Sequence, residues 1–242
     1  MNRICPLAVL MVLSPLPAIA QSVYGPGGLF LNPTAAMAPA GQIEPSVLAL
    51  RQHYSGTTSK NSFDATWLSS AVDYGLRPNV EIGAAVAAVA GLPGGGNPSF
   101  GGYAKYRLFP ETGSRPAAAV GLTILGFGQT NFRAGFAALR KSSRISGLSL
   151  AGDLGLQYVD VSVGKSRHSF QPYAGAELGF ARGWTFTVEA RPRLYSEIGT
   201  PLALTLIHRV RSGYQIAVTW ANNGAVQSPG FGVGAGLTLG SR

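Results

Sequence analysis

The chain has 242 residues, of which 46% are hydrophobic and only 12% charged, with 33 glycines and a formal net charge of +9. This balance argues against intrinsic disorder, which requires high charge and few apolar residues. The glycine content disfavours a helical protein, because a glycine inside a helix costs about 0.5–1 kcal/mol relative to alanine. An all-β chain with many turns fits the composition.

Residues 1–20 have the pattern of a cleaved secretory signal peptide. Arg3 supplies the positive start, residues 7–13 the apolar stretch, and residues 18–20 the small-x-small sequence before cleavage at Gln21. The apolar stretch is far shorter than the ~20 residues that a membrane helix needs. Because the one cysteine, Cys5, lies in this segment, we expect an exported chain that builds no disulfide framework.

Residues 21–41 are predicted to lead into the first strand. The stretch 27–42 carries no charge and is rich in glycine, alanine and proline, which favours an extended or irregular path. It contains no catalytic side chain and no set of metal ligands. Two interpretations stay open: a lead-in along the surface, or a plug at one mouth of a barrel.

From residue 42 onward, apolar and polar residues alternate in segments of about ten. In one of them Trp184, Phe186 and Val188 share one face, and Thr185 and Glu189 share the other, which is the period of a β-strand. This length suits a strand that crosses a membrane at a tilt, and small polar faces suit a confined lumen. A soluble sandwich or barrel is the alternative. Aromatic residues near segment ends predict interfacial girdles; they include Tyr103, Tyr106, Tyr173, Trp184 and Tyr214.

The sequence therefore predicts one domain, residues 42–242, folded as a single antiparallel transmembrane β-barrel of the bacterial outer membrane. Twelve strands are expected, and ten are the alternative, since bacterial single-chain barrels have even numbers. The expected strands lie near residues 42–53, 62–75, 79–90, 99–109, 116–126, 131–141, 146–159, 168–181, 183–195, 200–211, 213–221 and 229–240.

In each predicted strand, alternate residues form a polar face and an apolar face. The charged residues that lie on the polar face are predicted to point into the lumen. They indicate either a charged path for an anionic solute or polysaccharide, or an internal network of ion pairs that fills the barrel. The nine residues are Glu81, Lys105, Arg107, Arg133, Asp153, Glu177, Glu189, Arg191 and Arg193.

The basic balance predicts an anionic partner. In an outer membrane this would be lipopolysaccharide phosphate or an acidic glycan, and the barrel would also depend on the outer-membrane assembly machinery. Nucleic acid is not expected, because no binding motif occurs and the chain is predicted to leave the cytoplasm. Seven basic residues near strand ends are candidate outer contacts: Arg140, Lys141, Arg144, Lys165, Arg167, Arg209 and Arg211.

An enzyme is not predicted, and neither is a cofactor or a metal site. The histidines His53, His168 and His208 are scattered, and no G-x-S-x-G sequence occurs. His168 and Ser169 are the remaining candidates for a lipid hydrolase, which is the weakest alternative. Adjacent residues on a strand point to opposite faces, so these two side chains are not expected to act together.

Residues 28–35 read Gly-Leu-Phe-Leu-Asn-Pro-Thr-Ala, and residues 39–41 read Pro-Ala-Gly. This N-terminal motif resembles that of the YjbH-like outer-membrane barrels, which are associated with exopolysaccharide export. The pattern is Gly-Leu-x-x-x-Pro-Thr-Ala followed by Pro-x-Gly, and the stretches 73–83 and 103–108 look similar too, so the likeness covers about the first half. This resemblance implies a channel or accessory for exopolysaccharide; the alternative is a closed structural or interaction barrel. The motif residues are Gly28, Leu29, Asn32, Pro33, Thr34, Ala35, Pro39 and Gly41.

Overall fold

The computed structural model describes residues 20–21, 27–28, 32–54, 63–91, 98–127, 130–163, 165–181, 183–191, 202–210, 213–222 and 230–239. The expected signal segment before residue 20, Leu29, Arg193 and Arg211 lie outside these ranges. Within them, no helix is long and apolar enough to span a bilayer.

Twelve strands close into one antiparallel barrel, which confirms the predicted fold and excludes the ten-strand alternative. Each strand pairs with its neighbour in sequence, and the last pairs with the first. A separate two-residue ladder, β1 with β2, precedes them. The strands are β1 Ala20–Gln21, β2 Gly27–Gly28, β3 Ile43–Tyr54, β4 Phe63–Arg77, β5 Val80–Ala90, β6 Ser99–Phe109, β7 Ala117–Phe127, β8 Thr130–Ile145, β9 Leu148–Val163, β10 Lys165–Phe180, β11 Trp184–Ala190, β12 Leu202–Arg209, β13 Tyr214–Asn222 and β14 Gly230–Leu237.

The two ends of the barrel differ in their connections. At one end, here called the turn end, the strands are joined by residues 78–79, 110–116, 146–147, 181–183 and 210–213, and β3 begins there. Ser146 and Gly147 both have positive φ, 48° and 84°, as the tightest hairpin turn requires. The opposite end, the loop end, carries the longest connections. Outer-membrane barrels keep short turns on the periplasmic side, so we assign the turn end to the periplasm.

The outer surface of the wall is an almost continuous apolar band. On β14, Phe231 and Val233 are 67% and 62% exposed, and they alternate with glycines. On β9, Leu154 and Leu156 are exposed in the same way. Such an apolar surface is stable against lipid. Because the barrel is closed, every strand has a neighbour on both sides, and its backbone hydrogen bonds form without water. The wall therefore has the construction of a membrane-spanning barrel.

Inside the wall, aromatic rings lie over glycines on the neighbouring strand. Tyr103 is directly opposite Gly83, and Tyr173 is directly opposite Gly155. A β-carbon at either glycine would lie within 2.2 Å of the tyrosine ring, so only glycine fits there. The prediction that Tyr103 and Tyr173 belong to interfacial girdles is wrong, because the missing side chains opposite them give the rings room inside the lumen.

The closure is uneven around the barrel. The strands β8, β9 and β10 each have 16 residues, whereas β14 has 8. In the part of the chain that the structure describes, β14 and β3 are joined by six residue pairs, from Phe231 with Arg51 to Gly236 with Ser46. The pairing of β8 with β9 extends over the whole of β8.

Substitution of Gly83 by alanine is expected to destabilise the barrel by about 1–3 kcal/mol, because the new methyl group displaces the Tyr103 ring from a packed lumen. The measurement is the urea midpoint of the detergent-refolded barrel, followed by tryptophan fluorescence. Gly152→Ala is the matched control, since nothing lies within 4 Å of a β-carbon at that position. Equal midpoints for the two variants would contradict the packing described here.

Candidate functional site: the lumen and its N-terminal segment

Residues 32–42 lie inside the barrel, and we call them the inner segment. Asn32 and Thr34 are fully buried and Ala35 is 1% exposed. The segment enters at the turn end, where Ala40 forms a parallel bridge with Gly75 and the Gly41 amide donates to the Gly75 carbonyl at 2.7 Å. It runs from there toward the loop end. Five of the motif residues therefore belong to an irregular stretch within the lumen rather than to a surface lead-in; they are Asn32, Pro33, Thr34, Ala35 and Pro39.

Three charged wall residues hold the inner segment. The Ala38 amide donates to Glu81 Oε2 at 2.6 Å, and Lys105 Nζ donates to the Ala36 carbonyl at 2.5 Å. Lys105 and Glu81 also form a salt bridge at 2.9 Å with both side chains almost fully buried. Because a buried charge is stable only when paired and hydrogen-bonded, the segment's main chain completes the bonding of this pair.

The far end of the inner segment is bound to β11. The main-chain amide and the side-chain amide of Asn32 both donate to Glu189 Oε2 at 3.1 Å. Between its two ends the segment packs through Ala35, which shares one buried cluster with Ala119 and Phe136 of the inner wall. The segment is thus attached to both sides of the lumen.

A second buried ion cluster lies on β8, β9 and β10. Arg140 binds Glu177 through two hydrogen bonds of 2.6 and 2.8 Å, and it binds Asp153 Oδ2 at 2.7 Å. Paired hydrogen bonds of this kind between guanidinium and carboxylate are the strong ones. The prediction that Arg140 is an outer contact is wrong. It shares the inward parity of Phe136 and Ala138, and its two acid partners keep it in the lumen.

Two further acids, Glu44 and Asp73, face each other across β3 and β4 and are 4% and 1% exposed. The sequence patterns do not identify them. Leu48 and Leu50 interrupt the inner face of β3 between Ser46 and Gln52, so polarity marks the parity of this strand only in part. Arg209 was predicted as an outer contact, and this is also wrong: it continues the inward face of β12 after Ala203 and Ile207.

The residues predicted to line the lumen are placed as follows. Glu81, Lys105, Asp153, Glu177, Glu189 and Arg191 are buried on the inner face. Arg107 is half-buried at the turn end, where it donates to the Pro78 carbonyl. The prediction for Arg133 is corrected. It is exposed and lies opposite Ile124, which is 52% exposed on the outer surface, because Ala134 and Phe136 set the inward parity of β8.

Arg191 is a buried cation directly after β11, where it is 4% exposed. Its Nε has no hydrogen-bond partner among the residues that the structure describes. A buried N–H donor without an acceptor is costly, and an anion in the lumen would offset that cost at Arg191.

The turn-end mouth is bordered by the 110–116 connection. Glu111 accepts hydrogen bonds from the Ser142 amide and hydroxyl at 2.9 and 2.8 Å, and Lys141 Nζ binds the carbonyls of Thr112 and Gly113. Partial burial opposes ionisation of Glu111, but the bonds from Ser142 and Lys141 outweigh it and lower the pKa of this carboxyl below its usual value. Lys141, predicted as an outer contact, is thus bound to this connection.

A cavity of about 400 Å³ separates the inner segment from this mouth. Its lining includes Arg107 and Arg140 from the wall and Glu111 from the connection, with the alanines of the inner segment on the other side.

The remaining basic residues that are predicted as outer contacts lie elsewhere. Arg144 is exposed on the β8–β9 hairpin, and the structure describes only the backbone at Lys165 and Arg167.

The histidines are all on the outer surface. His53 binds Asp64 at 2.8 Å beside Arg51. His168 stacks on Tyr158, and its neighbour Ser169 is bonded to the inward Gln171, so His168 and Ser169 lie on opposite faces. Among the described residues, no group of three or more histidine, cysteine, aspartate or glutamate side chains is arranged to hold a metal ion.

Comparison with known proteins yields fold relatives only. No protein-family profile and no curated protein matches the chain. Among solved structures, a KdgM porin in complex with disordered oligogalacturonate has a TM-score of 0.58 at 12% identity, covering 80% of this chain and 99% of that one. A NanC porin has a TM-score of 0.54 at 10% identity, covering 79% and 100%. A channel from Pseudomonas putida F1 has a TM-score of 0.50 at 10% identity, covering 84% and 97%.

The chain is a porin-like outer-membrane β-barrel. The closed wall of twelve strands and its apolar outer band lead to this conclusion, and the likeness to porins of the same fold agrees with it.

Arg140→Ala is expected to lower the free energy of unfolding by about 3–5 kcal/mol, because it leaves Asp153 and Glu177 buried without their cation. Urea unfolding in detergent measures the effect. Arg144→Ala, an arginine removed from the exposed hairpin of the same strand, should change stability by less than about 0.5 kcal/mol. A similar loss in both variants would mean that the cluster contributes nothing specific.

Glu111 should make the attachment of the 110–116 connection depend on pH. A carboxyl whose pKa is lower in the folded state adds stability above its unfolded pKa and loses it as the pH falls through the folded pKa. We therefore expect wild type to be more stable than Glu111→Gln at neutral pH, and the difference to vanish in acid. Unfolding curves of the two proteins across this range measure it, and a difference that grows in acid would contradict the assignment.

Proposed function

We propose that the protein is an outer-membrane channel, or an accessory of export, for an anionic solute or an acidic glycan. The observation that carries the proposal is the buried, lumen-facing guanidinium of Arg191, which has no partner at Nε among the described residues. Lys105 and Arg140 are paired with carboxylates, and Arg107 is a further cation at the turn end. An anion that enters would meet Arg107 at the turn end and Arg191 after β11, in surroundings where charge interactions are strong.

Two likenesses support an acidic glycan as the solute class. One fold relative is a KdgM porin in complex with disordered oligogalacturonate, an acidic oligosaccharide. The N-terminal motif resembles that of barrels associated with exopolysaccharide export. Its residues Asn32, Thr34 and Ala35 are buried in the lumen, through which a glycan would have to pass. A twelve-stranded barrel is wider than eight-stranded barrels, which side chains fill, and narrower than general porins with an open water channel.

A closed structural or interaction barrel is the second candidate. The observation in its favour is the occupancy of the lumen by the inner segment and by the ion cluster of Arg140, Asp153 and Glu177. In this case the charges fill the barrel and conduct nothing.

Arg191→Ala distinguishes the two candidates. In a channel, the loss of this cation should shift the reversal potential in a planar bilayer under a salt gradient toward cation preference, and Arg191→Lys should retain the wild-type selectivity. In a filled barrel neither variant changes a current, and only stability responds. Steady currents with the same selectivity in all three proteins would remove Arg191 from the proposed path.

A further inference from the structure

We propose that the inner segment is a displaceable plug on a binding track for an extended polar chain. Lys105, Glu81 and Glu189 hold the segment, and the same groups bind the glycan when the segment leaves. Sugar hydroxyls can donate to the two carboxylates, and a sugar carboxylate or hydroxyl oxygen can accept from the ammonium. This inference rests on the proposed function, because it needs a solute that enters the lumen.

The first argument is that most of the bonds to the segment reach its main chain. Glu81 accepts from the Ala38 amide, Lys105 donates to the Ala36 carbonyl, and Glu189 accepts from the amide of Asn32. These contacts require an extended chain with donors and acceptors at suitable spacing, and they do not require particular side chains. A linear glycan presents such groups along its whole length.

The second argument is the space beside the segment. Its buried apolar side chains are Ala35, Ala38 and one larger side chain, Met37, which is 8% exposed. The cavity of about 400 Å³ next to the segment lies toward the turn end, from which the segment enters. Space for the segment to move, or for a sugar to begin to replace it, is present on that side.

The third argument is a fixed point at the entry. Ala40 bridges to Gly75, and the Gly75 carbonyl accepts from the Gly41 amide. Gly41 has φ of 78°, which lets the chain turn there from the segment into the wall. Residues 32–39 lie beyond this fixed point, so they can leave the lumen while the segment stays attached at its entry.

The test is a crosslink between the inner segment and the wall. Ala35→Cys and Ala119→Cys are introduced together with Cys5→Ser, joined by a short cleavable bifunctional thiol reagent, and the joined protein is isolated. Ala35 and Ala119 share one buried cluster, so the link holds the segment in place. We expect the joined protein to show no openings in a planar bilayer, and cleavage of the linker to restore them.

The matched control joins Ala71→Cys to Ala85→Cys, which are directly opposite each other on β4 and β5. This link fixes the wall without touching the segment and should leave the openings unchanged. A joined Ala35–Ala119 protein that conducts like its cleaved form overturns the plug while the channel itself stands. Glu189→Ala is included because it releases the Asn32 end of the segment. If none of the proteins conducts, the proposed channel fails and the inference fails with it.

The shared track is tested by competition. A single Ala36→Cys variant in the Cys5→Ser background is labelled with a maleimide in the presence of oligogalacturonate or of a neutral malto-oligosaccharide of the same length. If the acidic glycan displaces the segment, it should accelerate labelling by about tenfold, the change in equilibrium expected for one charge-assisted hydrogen bond. Equal labelling rates with both sugars would overturn the shared track.

Discussion

The closure of the wall is the constraint on which the rest of the molecule depends. In hydrocarbon each backbone amide and carbonyl must find a partner within the protein, and an open sheet edge fails that condition. The pairing of β14 with β3 removes the last edge. Once the wall is closed, alternation leaves every second side chain in a narrow lumen, so the polar residues that cannot face lipid must satisfy one another inside.

The lumen meets this demand by pairing charges and by enclosing main chain. Arg140 is saturated by two carboxylates on neighbouring strands. Lys105 and Glu81 bind each other and then the inner segment, whose carbonyl and amide act as a neutral acceptor and donor. Wall and segment therefore stabilise each other: removal of the segment leaves charged groups that need another polar partner, and water or a hydroxylated solute can provide one.

Much of the fold could be read from the sequence, because alternation in a barrel has one physical cause, a lipid face opposite a lumen face. Twelve strands follow from it. Residues are assigned to the wrong face where the inner face of a strand is not the polar one. Arg133 was assigned inward because it is charged, yet alanine and phenylalanine occupy the inner face of its strand. Arg140 and Arg209 were assigned to the outside because they lie near strand ends, where arginine normally reaches water. The acids Glu44 and Asp73 were overlooked beside buried leucines.

The inner segment could not be located from its sequence for a different reason. It has no charge and no period, and it binds through its backbone to residues far along the chain, such as Glu189. Side-chain patterns carry no information on main-chain contacts of this kind. Its place in the lumen is recognisable only after the wall is closed around it.

The uneven pairing around the barrel gives it an uneven mechanical response. The long ladder between β8 and β9 is stiff, and the ladder between β14 and β3, which continues through a bridge of Ile43 with Leu239, is among the shorter and more compliant lines along the wall. The inner segment continues directly into β3, so a pull on it is transmitted through Gly41 to that line rather than to the stiff side. A polymer that drags the segment toward the periplasm would therefore load the seam in shear, and amide hydrogens of β14 should exchange with solvent before those of β9.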